Sequence, residues 1–157
     1  MAKLTVRFVN SPGFVSEVID WTTNSLWDHA ELGTPEGTWI AAHAGKGVQE
    51  LPANYMTPSR ERRYEIPCTD EQLETILKFA KSKIGTPYDY EDIIGLFLHD
   101  RKLNSNSREI CSAFVFDCTS AGNLWMLNVL PGYTYLVTPE MLHLSSLLIG
   151  NCILSVG

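Results

Sequence analysis

The strand-like segments of this chain crowd into its first 67 residues, and the strongest helical periods follow them without regular alternation of strand and helix. That order argues against a doubly wound parallel sheet, which needs a crossover helix after each strand, and predicts an α+β domain with an antiparallel sheet. Residues 3–9, "KLTVRFV", alternate and are rich in β-branched residues. "WDHAELG" and "GTWIAAHAGKGVQEL" read as strands split at Gly33–Gly37 and Gly45–Gly47, and "RRYEIP" reads as a strand ended by Pro67. One short helix is predicted early, from the spacing of Phe14, Val18 and Trp21.

The clearest helix starts after Thr69, a capping residue with Gln72 at the third position. Leu73, Ile76, Leu77, Ala80 and Ile84 then form one apolar stripe before Gly85. "GTPYDY" reads as a turn, residues 91–98 as a short apolar helix and residues 99–108 as a polar loop. A buried helix is predicted from Ile110 to about Thr119, stopped by Gly122. A last helix has Thr138 as cap, Pro139 at its first position and Gly150 past its end.

At 157 residues and 45% apolar content, the expected organisation is one domain over residues 1–157 with a single core. A net charge of −6 offers no basic footprint, so no nucleic acid partner is expected. No apolar run approaches the roughly 20 residues that span a bilayer, and the N-terminus lacks the apolar centre of a secretory signal. The expected location is cytoplasmic, unless a phage or other export apparatus carries the chain outward. Cys68, Cys111, Cys118 and Cys152 contain no C-x-x-C pair, so free thiols are expected.

Chemistry then rests on a thiol and a base. Cys111 stands at a helix start, where unpaired backbone N–H groups stabilise a thiolate; Cys118, two turns on, lies deeper in the same helix. The alternative for both is an ordinary small core residue. Among the histidines, His29 shares a strand face with Trp27 and Glu31, and His43 shares one with Trp39 and Ala41. If the two strands are antiparallel neighbours, His29 and His43 meet beside Cys111 as base and orienting residue; the alternative is a hydrogen-bonded histidine at a strand surface. His99 reads as a solvated helix end and His143 as the polar face of the last helix. His29, His43, Cys111 and Cys118 include no close ligand pair of the structural-zinc type, so no metal and no other cofactor are expected.

Five segments in order resemble the circularly permuted branch of the papain-like cysteine peptidases and amidases, the YiiX/YaeF type, related to NlpC-type cell-wall hydrolases and lecithin retinol acyltransferase-like enzymes. They are "SEVIDWTTNSLWDHAEL", "WIAAHAGKGVQELP", "IGTPYDYEDI", "ICSAFVFDC" and "LVTPEML". In that branch the histidine strand precedes the cysteine helix, as His29 precedes Cys111 here. The resemblance implies a permuted papain-like fold with the nucleophile helix packed on an antiparallel sheet. It assigns Cys111 as nucleophile, His29 as base and His43 as the orienting residue. YiiX-like members carry Glu before Ala at the third position, where this chain has His43 before Ala44; the acyltransferase-like relatives use a second histidine.

Gly85, Pro87, Tyr88 and Asp89 match the "G-x-P-Y-D" turn of the branch, in which Tyr88 and Asp89 either contact substrate or fix the turn. Trp27 is either a further substrate contact or a core residue. The expected activity is cleavage of an amide in a peptide or peptidoglycan fragment through a thioester. The alternatives are lipid or thioester acyl transfer, and an inactive binding protein on the same fold.

Overall fold

The structure is a computed structural model and describes residues 1–10, 26–43, 46–87, 111–129 and 134–156. The early helix at residues 14–24, Tyr88 and Asp89, the helix at 91–98 and the loop at 99–108 lie outside the described residues.

Six strands form one antiparallel sheet: β1 (Ala2–Asn10), β2 (His29–Gly33), β3 (Trp39–His43), β4 (Gly47–Leu51), β5 (Arg60–Cys68) and β6 (Asn151–Val156), in the order β4-β3-β2-β1-β5-β6. Among the described residues the α-helices are α1 (Asp70–Ser82), α2 (Cys111–Ala121) and α3 (Pro139–Ile149). The architecture is thus α+β, as the segregation of strands and helices predicts.

Because strand side chains alternate, each strand divides its residues between two faces. Leu4, Val6 and Phe8 of β1 join Ala30 and Leu32 of β2, Ile40 and Ala42 of β3 and Tyr64 and Ile66 of β5 in one apolar face. The helices cover it with Ile76 and Ala80 from α1, Phe114, Val115 and Cys118 from α2, and Leu142 from α3. Each fully buried Leu, Val or Phe contributes about 1.5–3 kcal/mol relative to exposure.

The helix ends follow the caps in the sequence. Gln72 N donates to Thr69 Oγ1 at 3.1 Å while Thr69 N donates to Gln72 Oε1 at 3.0 Å, closing the capping box at α1. Thr138 Oγ1 accepts from Met141 N, with Pro139 opening α3 and Gly150 closing it. Gly47 has φ +74°, and a Cβ there would stand 2.2 Å from Thr86 O. Its neighbour Val48 exchanges backbone hydrogen bonds with this stretch, donating to Thr86 O at 2.8 Å and accepting from Gly85 N at 2.9 Å. Two of the segments that carry the family resemblance therefore meet in space.

Three expectations change, and one strand carries no signal in the sequence. β5 runs through Pro67 to Cys68, paired with Lys3 and Ala2; pairing with β6 stops at Glu65, so Pro67 lies where β5 has no second neighbour in the ladder. Ile84 falls past the C-cap of α1 and is exposed. β6 carries no alternation that would have announced it, since both of its faces are mostly exposed. His143 points inward at 8% exposure, its Nε2 3.0 Å from Tyr64 Oη and its ring edge-on to Phe8.

Candidate active site

The nucleophile candidate lies in α2: Cys111 is the first described residue of that helix and is 2% exposed. The helix is apolar almost all round, with Phe114, Val115 and Cys118 also buried. Packing rather than amphipathicity thus sets its pose. Cys111 Sγ lies 3.7 Å from the carbonyl oxygen of Asp28, to which it donates. The next residue, His29, begins β2, and its side chain lies against that of Cys111.

His29 reaches the thiol from the sheet face away from the helices. In the register, Val9 stands opposite His29 and Arg7 opposite Glu31, whereas the intervening Phe8 and Ala30 point to the helix-covered core. Placed at the end of β2 rather than its middle, His29 meets the start of α2 around the strand end.

The second nitrogen of His29 faces Glu31. Nε2 is 3.4 Å from Glu31 Oε1, close enough to form an ion pair but not aligned as a hydrogen bond. Glu31, 0% exposed, is gripped in turn: Tyr55 Oη donates to Oε1, and Arg7 Nη1 donates to Oε2 at 3.0 Å. Arg7 is itself 1% exposed and also donates from Nε to Glu61 Oε1 at 2.9 Å, an oxygen that Arg63 Nε reaches at 2.5 Å. Trp39 lies against both guanidinium groups, 4.9 and 5.0 Å from its ring centre. His43 packs against His29 with ring centres 4.8 Å apart and planes tilted by 46°. Its Nε2 is buried and has no hydrogen-bond partner among the described residues.

These contacts separate the two histidines electrostatically. Burial opposes charge on His29, but its contacts with Cys111 and Glu31, and attraction to both, outweigh it and raise the ring to about 10. Burial, followed by the charge on His29, lowers His43 to about 4. Burial also works against the Glu31 carboxylate, yet His29, Tyr55 and Arg7 together hold it below the usual carboxylate range. Burial and the neighbouring Glu31 charge push the Tyr55 hydroxyl up.

The structure thus brings Cys111, His29 and His43 together. Trp27 has another place: at 3% exposure it packs between Phe8 and His143 in the helix-side core, because β2 begins only at His29 and strand alternation does not extend back to residue 27. Tyr88 and Asp89 lie outside the described residues. Glu31, Tyr55 and Arg7 received no role from sequence, although the alternation in "HAEL" already set Glu31 on the face of His29. The donors that converge also differ from the set weighed for zinc. One ligand atom each from His29, Glu31 and His43 lie within 4.8 Å of one another, and neither Cys111 nor Cys118 belongs to the group.

No family model matches the chain, and no curated protein matches it. Among solved structures, the fold is similar to the crystal structure of the metalloprotein YiiX from Escherichia coli O157:H7, DUF1105, with a TM-score of 0.61 and 18% identity. The match covers 77% of this chain and 66% of that one, just under two thirds of the neighbour's length. At that identity the likeness is one of fold.

Proposed function

We propose that this chain is a single permuted papain-like domain that cleaves an amide, of the peptide or peptidoglycan type, through a thioester on Cys111. The observation that carries this reading is the contact of a thiol at a helix start with a histidine whose second nitrogen faces a buried carboxylate. The order of histidine strand before cysteine helix supports the permuted assignment.

In this mechanism His29 takes the thiol proton and the sulfur attacks the acyl carbon. The tetrahedral oxyanion is met by the Cys111 backbone N–H. Collapse breaks the C–N bond, the amine leaves with the proton from His29, and the acyl group stays on sulfur. Water, deprotonated by the same ring, then hydrolyses the thioester and returns the thiol. Glu31 holds the second ring nitrogen and stabilises the imidazolium, while His43 packs the ring in place. A divalent metal, as the neighbour's name implies for that protein, would be held here by His29, Glu31 and His43 and would supply Lewis-acid chemistry; no step of the thiol mechanism passes through it.

A second reading, acyl transfer from a lipid or thioester, is favoured by the contact of His29 with a second histidine. Digestion of purified sacculi against release of fatty acid from phospholipid separates the two. The experiment that tests the thiol mechanism itself is iodoacetamide labelling of Cys111 at pH 7, followed by mass spectrometry. We expect His29→Ala to slow it by at least about tenfold and Cys111→Ala to lose turnover by more than about a thousandfold with the fold retained. Labelling indifferent to His29 would instead favour an inactive binding protein on this fold.

A further inference from the structure

We infer that His29, Glu31 and His43 form a site for a divalent transition-metal ion, with Cys111 outside its ligand set, and that the ion inhibits the thiol by occupying a ring nitrogen of its base. The binding site stands on geometry alone; the inhibitory role rests on the thiol mechanism proposed above.

Two nitrogens and a carboxylate oxygen on adjacent strands suit zinc and its neighbours rather than calcium or magnesium, which take oxygen ligands. With bonds of about 2.0–2.1 Å, tetrahedral donors stand roughly 3.4 Å apart. His29 Nε2 and Glu31 Oε1 already have that spacing, at 3.4 Å. His43 needs to approach by about an ångström to join a tetrahedral set, since the widest separation in the group is 4.8 Å.

Two further observations point to a cation site. The Nε2 atoms of His29 and His43 are both buried without an aligned hydrogen bond among the described residues, a costly state that coordination would relieve. Glu31 is also oriented as metal ligands are: Tyr55 and Arg7 hydrogen-bond to its two oxygens and fix the carboxylate toward the rings.

Binding exchanges a proton for a metal: an ion on a ring nitrogen of His29 displaces the proton that nitrogen holds, and the ring no longer accepts one from Cys111. Charged and titratable groups face this exchange from every side: Arg7 on β1, Asp28 and Glu31 at β2, Lys46 before β4, Tyr55 in the following loop and Cys111 on α2. Cys111 keeps its own partner in the Asp28 carbonyl, which leaves the ion to the other three residues.

The test uses the full chain carrying Cys152→Ser, because Cys152 is an exposed thiol that would bind zinc on its own. Calorimetric titration with zinc should give one site per chain, unchanged in affinity by Cys111→Ser and weakened at least tenfold by His43→Ala and by His43→Gln, two variants whose folding is checked by circular dichroism. Cobalt in place of zinc should give visible d–d bands without the intense near-ultraviolet band of a thiolate ligand. One equivalent of zinc should slow iodoacetamide labelling of Cys111 at least tenfold in the parent and by a smaller factor in each His43 variant, each compared with its own zinc-free rate. A thiolate band, loss of binding in Cys111→Ser, equal binding in the folded His43 variants, or no binding below millimolar zinc would overturn the site. Zinc that binds as described without slowing the labelling would overturn the inhibitory role. Failure of the thiol mechanism is separate: it appears as labelling indifferent to His29 in the absence of metal.

Discussion

The two faces of the sheet are built from alternate residues of the same strands, yet different forces hold them. On the helix side Leu4, Val6, Phe8, Ala30 and Leu32 meet Phe114, Val115 and Leu142, and shape alone decides the contacts. On the other side the intervening residues Arg7, His29 and Glu31 are charged or titratable, and they interlock with Tyr55, Glu61 and Arg63. An apolar face tolerates a lost methyl group at modest cost, whereas a buried ionic face has no neutral fallback when one member goes. The difference locates the candidate chemistry: groups held charged away from water are available to move protons.

The sharpest way to break this contrast is Arg7→Met, which leaves Glu31 and Glu61 without their shared guanidinium. We expect a loss of about 3–5 kcal/mol in urea unfolding, largely recovered by adding Glu31→Gln and Glu61→Gln. Additive losses in the triple variant would show that packing, not charge pairing, governs this face.

A second prediction concerns pH. The folded state holds the His29 proton up to about 10, whereas an unfolded histidine releases it near 6.5. Its contribution is fully present below pH 6.5 and is lost as the pH rises toward 10. His43 behaves oppositely: lowered to about 4 in the folded state, it contributes stability above 6.5 that is lost as the pH falls toward 4. The pair therefore places a stability maximum near pH 6.5, with limiting slopes of at most about 1.4 kcal/mol per pH unit for each proton. Chemical denaturation from pH 4 to 10 should show the alkaline limb flattened in His29→Gln and the acid limb flattened in His43→Gln. Unchanged limbs would remove the electrostatic account.

The smallest effect belongs to the apolar face. Ile76→Val deletes one methylene under the sheet, where Ile76 is fully buried against Gly122, and should cost about 0.5–1.5 kcal/mol with no change in pH dependence. A pH-dependent penalty there would mean that the two faces are coupled.

Much of the scaffold was legible before any coordinates, and for local reasons. Thr69 with Gln72, and Thr138 with Pro139, mark helix starts because capping needs only residues three or four apart. The alternation in residues 3–9 and in "HAEL" announces strands for the same reason, and it already set Glu31 beside His29. Local signals failed where a neighbour in space decides. Trp27 looked like a continuation of β2 and turned inward because the strand had not yet begun. His143 looked like a polar helix face and found Tyr64. Arg7, a charge in the middle of an apolar strand, is buried only because Glu31 and Glu61 stand on the strands to either side.

By itself, then, the sequence determined the α+β class, the helix caps and the order in which a histidine strand precedes a cysteine helix, since these follow from periodicity and short-range hydrogen bonding. Only the tertiary structure decided that Glu31 faces the second nitrogen of His29, that Tyr55 and Arg7 hold that carboxylate, and that His43 lies ring to ring with His29. Strand register and the packing of α2 bring those groups together across up to 103 intervening positions, from Arg7 to Cys111, and Coulomb forces in a water-poor site act on distance in space rather than distance along the chain.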